Sequence, residues 1–344
     1  MTAQIVFFFH GFILILVFGG IMMKKFIAVL LSAIMIIGLF ASCGATEKSE
    51  KKLSIVTTIF PEYDWVKNIL GEKLDDADLT MLLDSGVDLH SFQPTADDII
   101  KISACDLFIY VGGESDSWVN DALNGAVNKN MKVINLLEVL GDSAKEEEIV
   151  EGMQAEEEEE EGEEGPEYDE HVWLSLKNSA VLVGAIRDSL ISIDGENAET
   201  YKSNADSYIE KINALDAEYS SAIEGAKLRT ILFADRFPFR YLVDDYGIDY
   251  YAAFVGCSAE SEASFETIAF LAGKVDELKL GSVLTLEGTD HKIAETVIQT
   301  TESKSARIIS MDSMQSITSE DVGNGADYLA LMEKNLEVLK EALN

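Results

Sequence analysis

"AETYKSNADSYIEKINALDAEYSSAI" runs from Ala198 to Ile223 and sets Tyr201, Ala205, Tyr208, Ile212, Leu215, Tyr219 and Ala222 at alternating spacings of four and three. Apolar residues on that period share one face of an α-helix, here about seven turns long. A stripe on one side only packs against its own protein, or, as the alternative, forms a coiled coil. What flanks the helix decides the fold. Before it, "KLSIVTTIF" (Lys52–Phe60) is β-branched and bounded by Pro61, "PEYDWVKNILG" has helical spacing up to Gly71, and "ADLTMLLDSG", "TADDIIKISAC", "DLFIYVGG" and "MKVINLLEVL" continue the alternation. After it come "RTILFAD", "YLVDDYGIDYYAAF", "ASFETIAFLAGKVDEL", "GSVLTLEG", "HKIAETVIQTT", "ARIISMDSM" and a closing helix "DYLALMEKNLEVLKEAL". Strand–helix order with short connections argues for α/β units on mostly parallel sheets. The expected architecture is therefore α/β, with two α/β halves separated by a long helical segment.

Charge narrows the partners. Lys+Arg 26 against Asp+Glu 62 leaves a net charge of −36 over 344 residues. Such a surface repels phosphate backbones and anionic lipid, so no nucleic-acid partner is expected. Cations are the natural counterparts. The N-terminus reads as a targeting segment, residues 1–43: Lys24-Lys25, the apolar "FIAVLLSAIMIIGLF" (Phe26–Phe40) and small residues before Cys43. That is the order of a secretory signal, with a transmembrane anchor as the alternative. Residues 1–21 lack any basic residue, and a start at Met22 or Met23 is expected. The polar residues 44–51 read as a tether.

The expected divisions are an N-terminal lobe over 52–179, a linking helical segment over 180–224 and a C-terminal lobe over 225–344. Inside the first lobe, 145–169 carries six consecutive glutamates, Glu156–Glu161. Like charges in a block repel one another and rarely fold, so this stretch is expected to be a solvated loop. It could also collect cations through its field. Cys105 and Cys257 sit among apolar residues without CxxC spacing and read as buried thiols, or as a long-range disulfide.

No phosphate loop, nucleophile elbow or His–Glu–x–x–His pair is present, so attention falls on the histidines. His90 follows an apolar strand at a Gly-containing turn, where α/β sheets bind ligands. His171 in "YDEHVWLSL" opens an ordered segment, and His291 lies just after Glu287, which ends "GSVLTL". Neutral imidazoles with a carboxylate suit Zn²⁺, whereas fewer imidazoles move the preference towards Mn²⁺.

"IVTTIFPEYDWVKNILGEK", "GVDLHSFQPTADDI", "DLFIYVGGESDSWV", "DEHVWLSLKNS", "YLVDDYGI", "SAESEAS" and "TLEGTDHKIAETV" resemble, in this order, the landmarks of bacterial solute-binding lipoproteins of zinc/manganese ABC importers. The resemblance runs from about Leu53 to the C-terminus. It implies two α/β lobes joined by a long rigid backbone helix within Ala180–Ile223, with a metal in the cleft between them. It also implies lipidation at Cys43, location on the extracytoplasmic face of the cell membrane, an ABC permease as partner and a monomeric chain.

Carried over by position, His90 and His171 are the first two metal ligands and Glu287 is the late carboxylate. The third place, eleven residues before Gly247, holds Arg236, and a guanidinium cannot ligate a metal. Three outcomes stay open: Asp235 supplies the ligand, the site has three protein ligands plus water, or Arg236 pairs with an acid. Glu262 reads as structural, and His291 as the first turn of a helix or, alternatively, as a substitute ligand. The function implied is capture of zinc, or else manganese, without catalysis. A tethered zinc hydrolase and a stand-alone metal buffer or adhesin are the rival readings.

Overall fold

The computed structural model describes residues 52–154, 167–258 and 262–344. The signal-like segment, Cys43 and the glutamate run lie outside them. The first lobe contains β1 (Leu53–Thr57), α1 (Phe60–Leu70), β2 (Ala77–Met81), α2 (Ala96–Ala104), β3 (Leu107–Tyr110), α3 (Val119–Asn124), β4 (Lys132–Asn135) and α4 (Leu136–Leu140). Two helices follow, α5 (Leu176–Ile193) and α6 (Ala198–Glu224). The second lobe contains β5 (Thr230–Phe237), α7 (Arg240–Tyr246), β6 (Asp249–Val255), α8 (Phe265–Leu278), β7 (Ser282–Leu286), α9 (Lys292–Thr300), β8 (Arg307–Met311), α10 (Ser319–Gly323) and α11 (Tyr328–Ala342).

Each lobe carries one parallel four-stranded sheet, ordered β2-β1-β3-β4 in the first and β6-β5-β7-β8 in the second. In both, the chain winds outward first to one side and then to the other of the first strand. The switch points fall between β1 and β3 and between β5 and β7, and ligands bind beyond the carboxyl ends of strands at such points.

The predicted opening strand is shorter than its apolar run. β1 stops at Thr57, and Pro61 lies in the first turn of α1, where its missing N–H costs nothing. Glu62 fixes this start: its Oε2 accepts from Thr58 N at 2.8 Å, Ile59 N at 3.3 Å and Thr58 Oγ at 3.1 Å. Gly71 ends the helix at φ 54°, a conformation suited to glycine. Thr95 caps α2 by exchanging hydrogen bonds with Asp98.

The linking segment is two helices joined by a short turn, of which α6 is the long one. Its stripe of Tyr201, Ala205, Tyr208, Ile212, Leu215 and Tyr219 is buried as its spacing predicts, but the last buried position is Ile223 while Ala222 is half-exposed. Its first half bonds to the first lobe, Asn204 Nδ2 to Ile69 O at 3.0 Å and Tyr208 Oη to Asp64 Oδ2 at 3.2 Å. Its second half bonds to the second lobe, Tyr219 Oη to Met332 O at 2.6 Å and Tyr246 Oη to Asp216 Oδ1 at 2.9 Å. One apolar core runs from the first sheet through α5, α6 and α11 to the inner layer of the second lobe, and a separate cluster lies beneath α8 and α9.

Of the stretch 145–169, expected to be a solvated loop, residues 145–154 and 167–169 are described, and they are bonded to their surroundings. Lys145 N donates to Tyr241 Oη, Gln154 N donates to Ala253 O, and Glu146 pairs with Tyr168 in an antiparallel bridge. These flanks are pinned to the second lobe and to one another. The two cysteines are also accounted for separately: Cys105 Sγ lies 3.2 Å from Ile102 O and 3.4 Å from Met131 Sδ, within the first lobe, and forms no bridge to Cys257.

Burial, and next the charge of Asp116, push Glu62 up to about 8, against the donors of Thr58 and Ile59. Its folded-state pKa thus lies above its ordinary 4.5, so the native state binds the proton more tightly than the unfolded chain does. Its contribution to stability is complete below that ordinary value and is lost as pH rises through about 8. Glu62→Gln keeps an acceptor for the same N–H groups, and should melt progressively higher than wild type as pH is raised through this window. Thermal scans in parallel buffers check this; a constant difference in Tm would refute it.

Candidate metal centre

His90 is placed by a short turn after β2. Asp88 Oδ1 accepts from His90 N at 3.0 Å, winding Leu89–Ser91 into a single 3₁₀ turn that aims the imidazole inward. His171 lies between the flank of the acidic stretch and α5 and is wholly buried. Asp169 Oδ1 accepts from both its backbone N at 2.8 Å and its Nδ1 at 3.0 Å. The Trp173 ring lies 5.2 Å away from that of His171, held by its own Nε1–H donating to Ser313 O at 2.8 Å.

The two imidazoles meet nitrogen to nitrogen, His90 Nε2 to His171 Nε2 at 3.2 Å. Behind them, His90 Nδ1 lies 2.8 Å from Ser115 Oγ and 3.4 Å from Glu170 Oε2. With acceptors holding each Nδ1–H, the neutral rings turn their Nε2 lone pairs towards each other. Two lone pairs at that distance repel unless a proton or a cation lies between them. Burial draws the His171 pKa down, but Asp169 foremost, with Glu170 and Asp88, outweighs it and the net shift is upward. Glu170 is itself held below the ordinary carboxylate range: burial raises it, but His90 and Ser115 outweigh that. This corner of the molecule favours positive charge.

The second lobe meets the cleft with residues at its own strand ends. Arg236 Nη2 donates to Asp88 Oδ2 at 2.7 Å, and its Nη1 donates to Ser258 O at 3.4 Å. Arg236 pairs with an acid, one of the three outcomes left open for the third place. The pair crosses the cleft; burial raises Asp88, but Arg236 outweighs it and holds the carboxyl below its usual range. Asp235 sits where the β5–β6 register shifts, and such irregularities re-aim side chains. Its carboxylate accepts from Arg236 N at 2.9 Å and Leu286 N at 3.2 Å. Glu287, just past β7, accepts from Ser313 N at 2.9 Å and Ser313 Oγ at 2.6 Å. Burial, and then Asp312, push Glu287 up to about 7 against those donors.

Among the described residues, the donor atoms gathered within 4.8 Å of one another belong to His90, His171 and Cys257. Asp235 and Glu287 are not in that group. Asp235 instead lines a cavity of about 740 Å³ with Asp88, Arg236, Glu262 and His291, and Glu287 lines one of about 180 Å³ with Asp88 and Arg236. His291 precedes α9 at φ 57°, its Nδ1 within 3.1 Å of Thr285 Oγ1. Cys257 follows β6; burial, and after it Asp169 and Glu147, push its thiol well above the ordinary range. Sequence reasoning gave Cys257 no role, because ligand spacing is the usual signal and this thiol meets its neighbours only across the cleft. Asp169 and Glu170 were legible only as the acids preceding His171.

The comparisons agree with this architecture. The family model described as zinc-uptake complex component A, periplasmic (ZnuA) matches residues 55–342. The chain is 33% identical over 324 residues to the zinc-binding lipoprotein AdcA of Streptococcus pneumoniae, covering 93% of this chain and 61% of that protein, so it spans less than two thirds of that relative's length. It is 29% identical over 303 residues to the high-affinity zinc uptake system protein ZnuA of Bacillus subtilis, covering 87% of this chain and 90% of that one. The crystal structure of the Zn(II)-bound ZnuA-like domain of Streptococcus pneumoniae AdcA superposes with a TM-score of 0.66 at 31% identity, covering 85% of this chain and 99% of that one. Two parallel-sheet lobes joined through a long helix, facing histidines at the strand ends and a family match over nearly all the described chain lead to one conclusion: the chain belongs to the ZnuA family of zinc-uptake components.

Proposed function

We propose that the chain captures a divalent transition metal, zinc in first place and manganese in second, between its lobes and passes it to the permease of an ABC importer. The observation that carries this reading is the 3.2 Å between His90 Nε2 and His171 Nε2. Two nitrogens bound to one tetrahedral zinc at about 2.0–2.1 Å stand about 3.3–3.4 Å apart, so the rings are already spaced for it. Carboxylate or hydroxyl partners behind both rings orient them as metal-bound histidines are oriented. Similarity to proteins named for zinc binding and zinc uptake supports the same reading. Tethering through Cys43 on the extracytoplasmic face is proposed with it, supported by a relative named as a lipoprotein.

His90 and His171 are the direct ligands in this proposal. Asp235 and Glu287 stand as second-lobe carboxylates in the adjoining cavities, and each joins the ion only by giving up its bonds from Leu286 or Ser313. Capture is favoured over hydrolysis because the carboxylates around the imidazoles are already engaged. Asp169 and Glu170 orient the rings and Asp88 holds Arg236, so none is poised to take a proton from bound water. With α6 bonded to both lobes, closure is small, and release follows from docking on the permease.

His90→Ala and His171→Ala should each lower zinc affinity beyond the roughly 10–100-fold that losing an outer partner costs, and Asp169→Asn should fall within that range. Titration calorimetry against a competing chelator measures all three; stoichiometric zinc retained at wild-type affinity by both alanine variants would overturn the assignment. Arg236→Ala removes the bond across the cleft and should speed zinc dissociation without changing the stoichiometry. Stopped-flow transfer to a chelating dye reads that rate, and an unchanged rate would show that the pair does not hold the cleft.

A further inference from the structure

We propose that Cys257 is a ligand to the captured ion, so that the second lobe completes the site with sulfur. The inference rests on the metal-capture reading above and names the group that reading leaves open. Three observations carry it.

Cys257 Sγ, one ring nitrogen of His90 and one of His171 lie within 4.8 Å of one another. The sulfur thus shares one corner of the cleft with both imidazoles, and it meets an ion held between them by turning about its own side-chain bond. The approach is also built. A Cβ added at Gly256 would lie 3.0 Å from His171 Cε1 and 3.1 Å from Nδ1, as well as 3.0 Å from Phe237 O. A side chain here would crowd the buried imidazole, so glycine lets the chain just past β6 come this close, and the next residue is the cysteine. Cys257 N donates to Glu147 Oε1 at 3.2 Å, which fixes that backbone against the ordered flank of the acidic stretch. Finally, three other second-lobe groups at the cleft are committed to protein partners, Arg236 to Asp88, Asp235 to Leu286 N and Glu287 to Ser313. The Cys257 thiol, among the described residues, is held by Glu147 alone, a bond that loss of its proton to the ion releases.

Binding breaks the S–H bond and forms a sulfur–metal bond, with the proton leaving to bulk water, as metal binding to a thiol requires. Two imidazoles and a thiolate are the donor types that tetrahedral zinc sites combine, with a fourth position left for water or a carboxylate. Soft sulfur disfavours manganese, so Cys257 also sets the choice between the two metals.

The full chain is loaded with Co²⁺, whose thiolate complexes show a sulfur-to-metal charge-transfer band in the near ultraviolet. The band is expected in wild type and lost in both Cys257→Ser and Cys257→Ala, which still bind cobalt through the histidines. Cys43 and Cys105 remain in both variants, so loss of the band belongs to Cys257 alone. Zinc affinity should fall beyond about 100-fold in Cys257→Ser, as for the other direct ligands, while manganese affinity is unchanged. A wild-type chain that binds cobalt without the band, or a variant that keeps the band, overturns the sulfur ligand and leaves capture by His90 and His171 standing. A wild-type chain that takes up no cobalt or zinc overturns both readings.

Discussion

The constraint on which the rest depends is the bonding of one helix to both lobes. Across α6, Tyr208 reaches Asp64 in the first lobe while Tyr219 reaches Met332 in the second. Asp64 also accepts from Tyr328 N, which brings the start of α11 onto α1. These bonds lie in a continuous apolar core, where losing a partner would strand a buried polar group. The relation between the sheets is thereby set, and the carboxyl ends of both face one cleft.

That relation makes the ligand site possible. His90 and His171 arrive from separate segments and meet at 3.2 Å only because each is oriented from behind, His171 by Asp169 and His90 by Ser115 and Glu170. The acids serve two purposes. They fix the rings, and they supply the negative field that makes a cation welcome in a buried place. The field is local, and it differs in kind from the long-range attraction of a net charge of −36.

Arg236 stands where the resemblance in the sequence implied a ligand. A guanidinium has no lone pair for a metal, yet it contributes a charge-assisted bond across the cleft to Asp88, whose other oxygen positions the His90 turn. A residue in a ligand's place thus acts on the first lobe through the loop that carries a ligand.

Strand–helix alternation, the spacing of the α6 stripe and the placing of His90, His171 and Glu287 at element boundaries were all legible along the chain. Periodicity is a local property, and short-range sterics and burial enforce it residue by residue. The partner of Arg236, the engagement of Asp235 with Leu286 N and the approach of Cys257 to the histidines were not legible. Those contacts join residues 148, 51 and 86 or more positions apart, and their geometry depends on how the two sheets are held. Local chemistry in the sequence determined two α/β lobes, a long helix and histidines at element boundaries. Which second-lobe atoms face that pair was decided only by the tertiary structure, because donor distances of a few ångströms are set by the packing of α6 and the strand ends.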